Sequence, residues 1–287
     1  MSNDCSAFDI DLSPSYWSKR FPRERICLEH VNFITKCSEE VKNSVPNQLN
    51  IPYGQGEREV IDIYGTDLPQ DAPVFIHFHG GFWQEKLIRH NLNSFIAKVL
   101  RENQIKSIFV GYELCPNVTL DDLSRNIEKA LKKCLEYVKQ TRGIHLSGHS
   151  AGAQIVANLF KEFIPNLPEE ERKLFKTAYL LAGIYDLMPL LKTSYNVPLK
   201  LDEQSAKRAS PLWQKLIAEG TDFYVVVAEH DSPQFVEQGN KMNEYLLSLN
   251  LKSHLVTIKD VDHFDLLEKL FDSDYELTKL IVKSCSE

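Results

Sequence analysis

From residue 58 onward, short apolar runs alternate with longer stretches whose apolar positions recur every three or four residues. Arg58 to Tyr64 alternates polar with apolar residues and predicts a half-buried strand. The Val-, Phe- and Ile-rich run from Pro73 to His79 predicts a fully buried one. Leu92, Phe95, Ile96, Val99 and Leu100 stand at helical spacing between Asn91 and Glu102, and Ser107 to Tyr112 reads as another strand. Thr119, with Asp122 three residues on, carries a capping-box pattern opening a long helix; its buried stripe is expected to run Leu123, Ile127, Leu131, Cys134, Leu135, Val138. A strand from Gly143 into Ser150 and a helix out to Phe163 follow, then strands at Thr177 to Ala182, Asp222 to Ala228 and His254 to Ile258. A helix from Gln234 to Leu249 separates the last two strands, and another closes the chain. Strands alternating with helices predict the α/β class, a mostly parallel sheet covered on both faces.

Three stretches stand outside that rhythm. Residues 1–28 are polar and irregular and predict an arm lying over the domain, followed by a helix from Glu29 to Lys42; together they make residues 1–45 an N-terminal arm and helix. Pro46 to Gly56 reads as a Pro/Gly/Asn-rich loop, and residues 185–214, with two prolines and several aromatics, as a small cap-like insertion. No internal repeat or linker divides the chain, so residues 1–287 are expected to form a single domain.

Composition narrows the function. A formal charge of −7 argues against a nucleic-acid or anionic-membrane surface, since either needs a concentrated basic face. The longest apolar runs, such as Tyr224 to Ala228, are far too short to span a bilayer. Cys5, Cys27, Cys37, Cys115, Cys134 and Cys285 show no paired spacing and read as free thiols in a reducing compartment. With no secretory or transit character at Met1 to Asp4, a cytoplasmic protein is expected.

The chemistry centres on Gly148-His149-Ser150-Ala151-Gly152, a G-x-S-x-G between a strand and a helix. Such a turn strains the serine backbone and is tolerable only where glycines keep side chains from colliding across it; the strain presents the hydroxyl above the sheet. Ligands in parallel sheets sit beyond the carboxyl ends of the strands, so partners should follow other strands. Of the candidates His145, His149, His230, His254 and His263, His145 lies inside a strand, His254 starts one and His149, next to the nucleophile, is expected to point elsewhere; His263 follows a strand in an acidic loop that can face Ser150. For the orienting acid Asp231 leads, with Glu229 a near rival and Asp186 and Asp265 weaker. The order Ser150, Asp231, His263 is that of α/β-hydrolases. The oxyanion donors are expected from the Ala151 N–H and from Gly80 and Gly81, which follow a strand in His79-Gly80-Gly81-Phe82-Trp83. His77 and His79 share a strand face, yet no H-x-H-x-D-H completes a metal site, so neither metal nor other cofactor is expected.

Together, HGGFW at 79–83, GHSAG at 148–152, AEHDSP at 228–233 and DVDHFD at 260–265 resemble the kynurenine formamidases (arylformamidases) of the α/β-hydrolase fold, whose signature is HGG followed by one residue and Trp. The resemblance runs from about residue 50 onward. It implies hydrolysis of N-formyl-L-kynurenine to L-kynurenine and formate, with Ser150, Asp231 and His263 as triad. Lipase-like esterases carry a third glycine where this chain has Phe82. Phe82 and Trp83 are therefore expected to narrow the acyl pocket to a formyl group, with Tyr185, and also Tyr16 or Trp17, as candidates to stack on the aniline ring. The expected partners are this small-molecule substrate and a second copy of the chain in a homodimer. Two other readings use the same residues differently: a carboxylesterase of short-chain aryl esters, and a hydrolase fold that only binds.

Overall fold

A computed structural model describes residues 7–286; the first six residues of the expected arm, Cys5 among them, lie outside the described residues. Among the described residues, eight strands form one sheet: β1 (Asn47–Pro52), β2 (Val60–Tyr64), β3 (Val74–Phe78), β4 (Lys106–Val110), β5 (Ile144–His149), β6 (Phe175–Leu181), β7 (Asp222–Ala228) and β8 (Lys252–Ile258). Their order is β1-β2-β4-β3-β5-β6-β7-β8. β1 and β2 pair antiparallel, β2 meets β4 antiparallel, and every later neighbour is parallel.

The principal helices are α1 (Arg23–Ser44), α2 (Ala97–Glu102), α3 (Leu120–Tyr137), α4 (Ala151–Leu159), α5 (Pro233–Ser248) and α6 (Glu276–Ser286). They cover both faces of the sheet. Leu123, Ile127 and Leu131 of α3, Ile155 and Val156 of α4, and Phe235 and Met242 of α5 join one apolar cluster. Ile34 and Val41 of α1, Leu100 of α2, and Leu277 and Ile281 of α6 join the other. β3, β4 and β5 are buried along their whole length, as the central strands of a sheet covered on both faces. The capping box forms as read: the Asp122 N–H donates to Thr119 Oγ1 and the Thr119 N–H to Asp122 Oδ2, each at 3.1 Å.

Three local readings are corrected. The expected loop at 46–56 contains β1, an edge strand that alternates half-buried and exposed positions and ends on Pro52, a residue an edge can hold. The expected helix from Asn91 begins as a tight 3-10 segment, His90–Ile96, and becomes α-helical only at Ala97. α1 starts at Arg23, six residues earlier than Glu29, because Ile26 extends the buried face of His30 and Ile34 by one more turn.

The arm and the cap-like insertion meet. Asp9 Oδ1 accepts the Ser194 N–H and hydroxyl, both at 2.8 Å, and the Tyr195 hydroxyl donates to Ser13 Oγ at 2.8 Å. These bonds lay the arm over the carboxyl ends of the central strands.

Candidate active site

Ser150 has φ 57° and ψ −118°, a conformation that a side chain other than glycine enters only under constraint. The constraint is steric. A Cβ on Gly148 would stand 2.1 Å from the Gly152 carbonyl oxygen, and one on Gly152 would stand 2.1 Å from the Phe78 oxygen. The two glycines let β5, α4 and β3 close on one another, with Ser150 at the apex and its N–H donating to the Leu181 carbonyl at 2.8 Å. α4 follows with only Asn158 less than fully buried, so its first turn is rigidly seated and directs the Ala151 N–H and the positive end of the helix dipole at the apex.

The loops after β7 and β8 are stitched together: the Glu229 N–H donates to Ile258 O at 3.0 Å and the His230 N–H to Val261 O at 2.9 Å. That junction brings Asp231 against His263, with Oδ2 2.7 Å from Nδ1, both side chains buried. The other carboxylate oxygen accepts the Ser232 N–H at 2.6 Å. With Nδ1 engaged by a carboxylate, the imidazole holds its proton there and leaves Nε2 bare. The rival acids have other employment. Glu229 is exposed and accepts the Asp260 N–H, Asp186 binds the Met188 N–H and Trp213 Nε1, and Asp265 accepts the Asp262 N–H.

Ser150, His263, Gly80, Gly81 and Phe82 line one cavity of about 350 Å³. Gly80 abuts Ser150: a Cβ there would lie 3.1 Å from Ser150 Cβ and 2.9 Å from the His149 carbonyl oxygen. Two hydrogen bonds fix the adjoining carbonyls. The Tyr112 hydroxyl donates to His79 O at 2.6 Å, and His79 Nδ1–H donates to Gly80 O at 2.8 Å. Because the peptide is planar and trans, these bonds turn the N–H groups of Gly80 and Gly81 away from those partners. His79 stacks on Tyr112 at 4.1 Å, and His77 Nδ1 lies 3.1 Å from Ser147 Oγ; burial pushes both imidazoles down to about 3, so both stay neutral.

Two sequence-predicted substrate contacts fall outside the cavity. Trp83 is fully buried with its Nε1–H donating to Gln154 Oε1 at 3.1 Å; it wedges the glycine loop onto α4 instead of facing substrate. Tyr185 is also fully buried, its hydroxyl packed over Gly183, where a Cβ would meet it at 2.2 Å. Neither Tyr16 nor Trp17 lines the cavity: Tyr16 lies under the Arg23 guanidinium, and Trp17 Nε1–H donates to Ile10 O. Phe82 does line it, stacked on Tyr195 at 4.1 Å and 12°, so the cap supplies an aromatic wall that sequence reading placed at Tyr185.

Three contributors were not singled out. His149 does not point away. It lines the cavity, its ring centroid 4.6 Å from that of His263, and Nε2–H donates to the His263 carbonyl at 2.9 Å, while burial drives its pKa well down. Phe235 packs edge-on against His263 at 4.8 Å. Arg20, from the arm, holds the loop carrying His263: Nε reaches Asp262 Oδ2 at 3.0 Å and Nη1 reaches Glu268 Oε2 at 2.7 Å. Glu268 also binds His30 Nδ1 at 2.7 Å, and Asp262 caps its own loop by accepting the Phe264 and Asp265 N–H groups at 2.9 Å. The only sequence signal for these contacts is the charge of residues far apart in the chain.

A family model of the alpha/beta hydrolase fold matches residues 75–204. A kynurenine formamidase of Salmo salar is 34% identical over 278 residues, covering 95% of this chain and 93% of the relative. One of Danio rerio is 32% identical, covering 99% and 96%. Among solved structures, a protein assigned as a thioesterase from a Silicibacter species superposes with a TM-score of 0.78 at 25% identity, covering 94% of this chain and 98% of the other.

Proposed function

Since the chain belongs to the kynurenine formamidase family of α/β-hydrolases, we propose that Ser150, His263 and Asp231 are the triad with which it cleaves the formamide of N-formyl-L-kynurenine. The enzyme is an arylformamidase, and its products are L-kynurenine and formate. The assignment of roles is carried by the 2.7 Å bond between Asp231 and His263 behind a cavity that His263 shares with Ser150.

The steps follow from that arrangement. His263 Nε2 takes the Ser150 proton as Oγ attacks the formyl carbon, and Asp231 stabilises the imidazolium without becoming protonated. The oxygen that gains charge is met by the N–H groups of Gly80, Gly81 and Ala151, donors already fixed before reaction begins. Collapse expels the aryl amine, which receives the proton from His263, and leaves a formyl ester on Ser150. Water, deprotonated by the same imidazole, then releases formate. An anilide is an easy amide to cleave because its amine is a weak base. Phe82, stacked on Tyr195, borders a site with room for a formyl group and an aromatic ring.

The cytoplasmic setting belongs to this reading, supported by free thiols at Cys27, Cys37, Cys115, Cys134 and Cys285. So does a homodimer, for which β8, at the end of the sheet with Leu255 exposed, offers an edge; sedimentation of the purified protein tests it. Among the described residues no helix is long and apolar enough to cross a membrane.

The decisive experiment measures formate release from N-formyl-L-kynurenine by the wild type and by Ser150→Ala, alongside labelling with a fluorophosphonate. The variant is expected to fold normally, release no formate and take no label. Formate release by Ser150→Ala near the wild-type rate would overturn the triad.

A further inference from the structure

We propose that Glu85 receives the α-ammonium group at the amino-acid end of the substrate, so that the enzyme selects aryl formamides whose side chain carries a cation. This rests on the formamidase reading above and extends it to the part of the substrate that does not react. Among the described residues lining the cavity, Glu85 is the one carboxylate, and neither lysine nor arginine faces it. The three histidines there are engaged by other groups: His30 and His263 give Nδ1 to Glu268 and to Asp231, and His149 gives Nε2–H to the His263 carbonyl.

The position of Glu85 is set by the oxyanion loop itself. Its N–H donates to the Gly81 carbonyl at 2.8 Å, so the chain turns directly from the glycines back to the cavity mouth. A Cβ on Gly81 would stand 2.9 Å from Glu85 Cβ, which ties the carboxylate to the same backbone that lies beside Ser150. Oε1 accepts the Leu87 N–H at 2.9 Å, which orients the group, and no ion pair to it forms among the described residues. Its field reaches across the mouth: the Cys27 thiol is pushed up by burial first and by the Glu85 charge second.

The substrate brings both an ammonium and a carboxylate. A lone anion at the mouth attracts the first and repels the second, and so orients the amino-acid chain with its nitrogen towards Glu85. Because Glu85 is exposed, water screens the attraction, and about a tenfold contribution to kcat/KM is the appropriate scale.

The test compares full-length wild type, Glu85→Gln and Glu85→Lys on N-formyl-L-kynurenine and on its des-amino analogue, reading formate release. The wild type is expected to prefer the amino-bearing compound. In Glu85→Gln that preference falls about tenfold, through KM and not kcat, and in Glu85→Lys it inverts towards the analogue whose sole charge is its carboxylate. An unchanged preference ratio in both variants overturns the assignment and leaves the Ser150 chemistry standing. If the wild type releases formate from neither compound although fluorophosphonate still labels Ser150, the formamidase reading falls and takes this proposal with it.

Discussion

Replacing Asp231 by asparagine changes one atom and tests the acid by forcing a choice. In the native site Oδ1 accepts the Ser232 N–H at 2.6 Å while Oδ2 accepts from His263 Nδ1 at 2.7 Å. An asparagine amide has a single oxygen to give. If that oxygen faces His263, the amide NH2 faces the Ser232 N–H, and two donors are buried against each other at a cost of about 1–3 kcal/mol. If it faces Ser232, the NH2 meets Nδ1, which must then be the bare nitrogen; the proton moves to Nε2, where it cannot accept from Ser150. The second arrangement satisfies every buried group, so the protein settles into the unproductive tautomer. A tautomer error of this kind lowers kcat on the order of 10⁴-fold in serine hydrolases, equivalent to about 5 kcal/mol of barrier. The assay is steady-state formate release, with circular dichroism and thermal unfolding to show that the fold persists. Glu229→Gln is the control, since Glu229 is exposed and its carboxylate accepts the Asp260 N–H and no bond from His263. Asp231→Asn within about tenfold of wild type, with Glu229→Gln inactive, would refute this reasoning.

Two further predictions probe the frame around the triad. Gly80→Ala puts a methyl 2.9 Å from the His149 carbonyl and 3.1 Å from Ser150 Cβ, so the loop must shift by tenths of an ångström. A misaligned oxyanion donor should lower kcat about 10²–10³-fold with KM little altered, and unchanged kcat would remove Gly80 from the oxyanion hole. Arg20→Met removes the clasp on Asp262 and Glu268, both buried. Burial alone would raise these carboxyls, but hydrogen bonds from Arg20, with Ser18 for Asp262 and His30 for Glu268, outweigh it and hold both below their ordinary values. A carboxyl that is a stronger acid folded than unfolded contributes its full stability above the unfolded value and loses it as pH falls through the folded one. The margin in melting temperature by which the wild type exceeds Arg20→Met should therefore be full near neutral pH and shrink as pH falls below the ordinary carboxyl range, and parallel pH profiles of the two would show the clasp to be inert.

How far the sequence carried depended on how local each cause was. The G-x-S-x-G elbow and the Thr119–Asp122 box are built from residues within a few positions, and both formed as read. β1 escaped because an antiparallel edge asks for little hydrophobicity, so Asn47, Asn50 and Pro52 look like loop. Tyr185 and Trp83 were misplaced for a different reason: an aromatic beside a motif is equally at home in the core, and only packing reveals which. Tyr195 emerged because the cap folds back over Phe82. His149 and Arg20 act on His263 from 114 and more than 240 residues away, through contacts that no spacing rule encodes.

That last distance has a consequence for how the chain comes alive. Arg20 precedes Asp262 and Glu268 by 242 and 248 residues, so the loop that carries His263 is clasped only once two segments far apart in the chain have docked. A fold that lacks either segment keeps Ser150 and its glycines but leaves the His263 loop without this clasp.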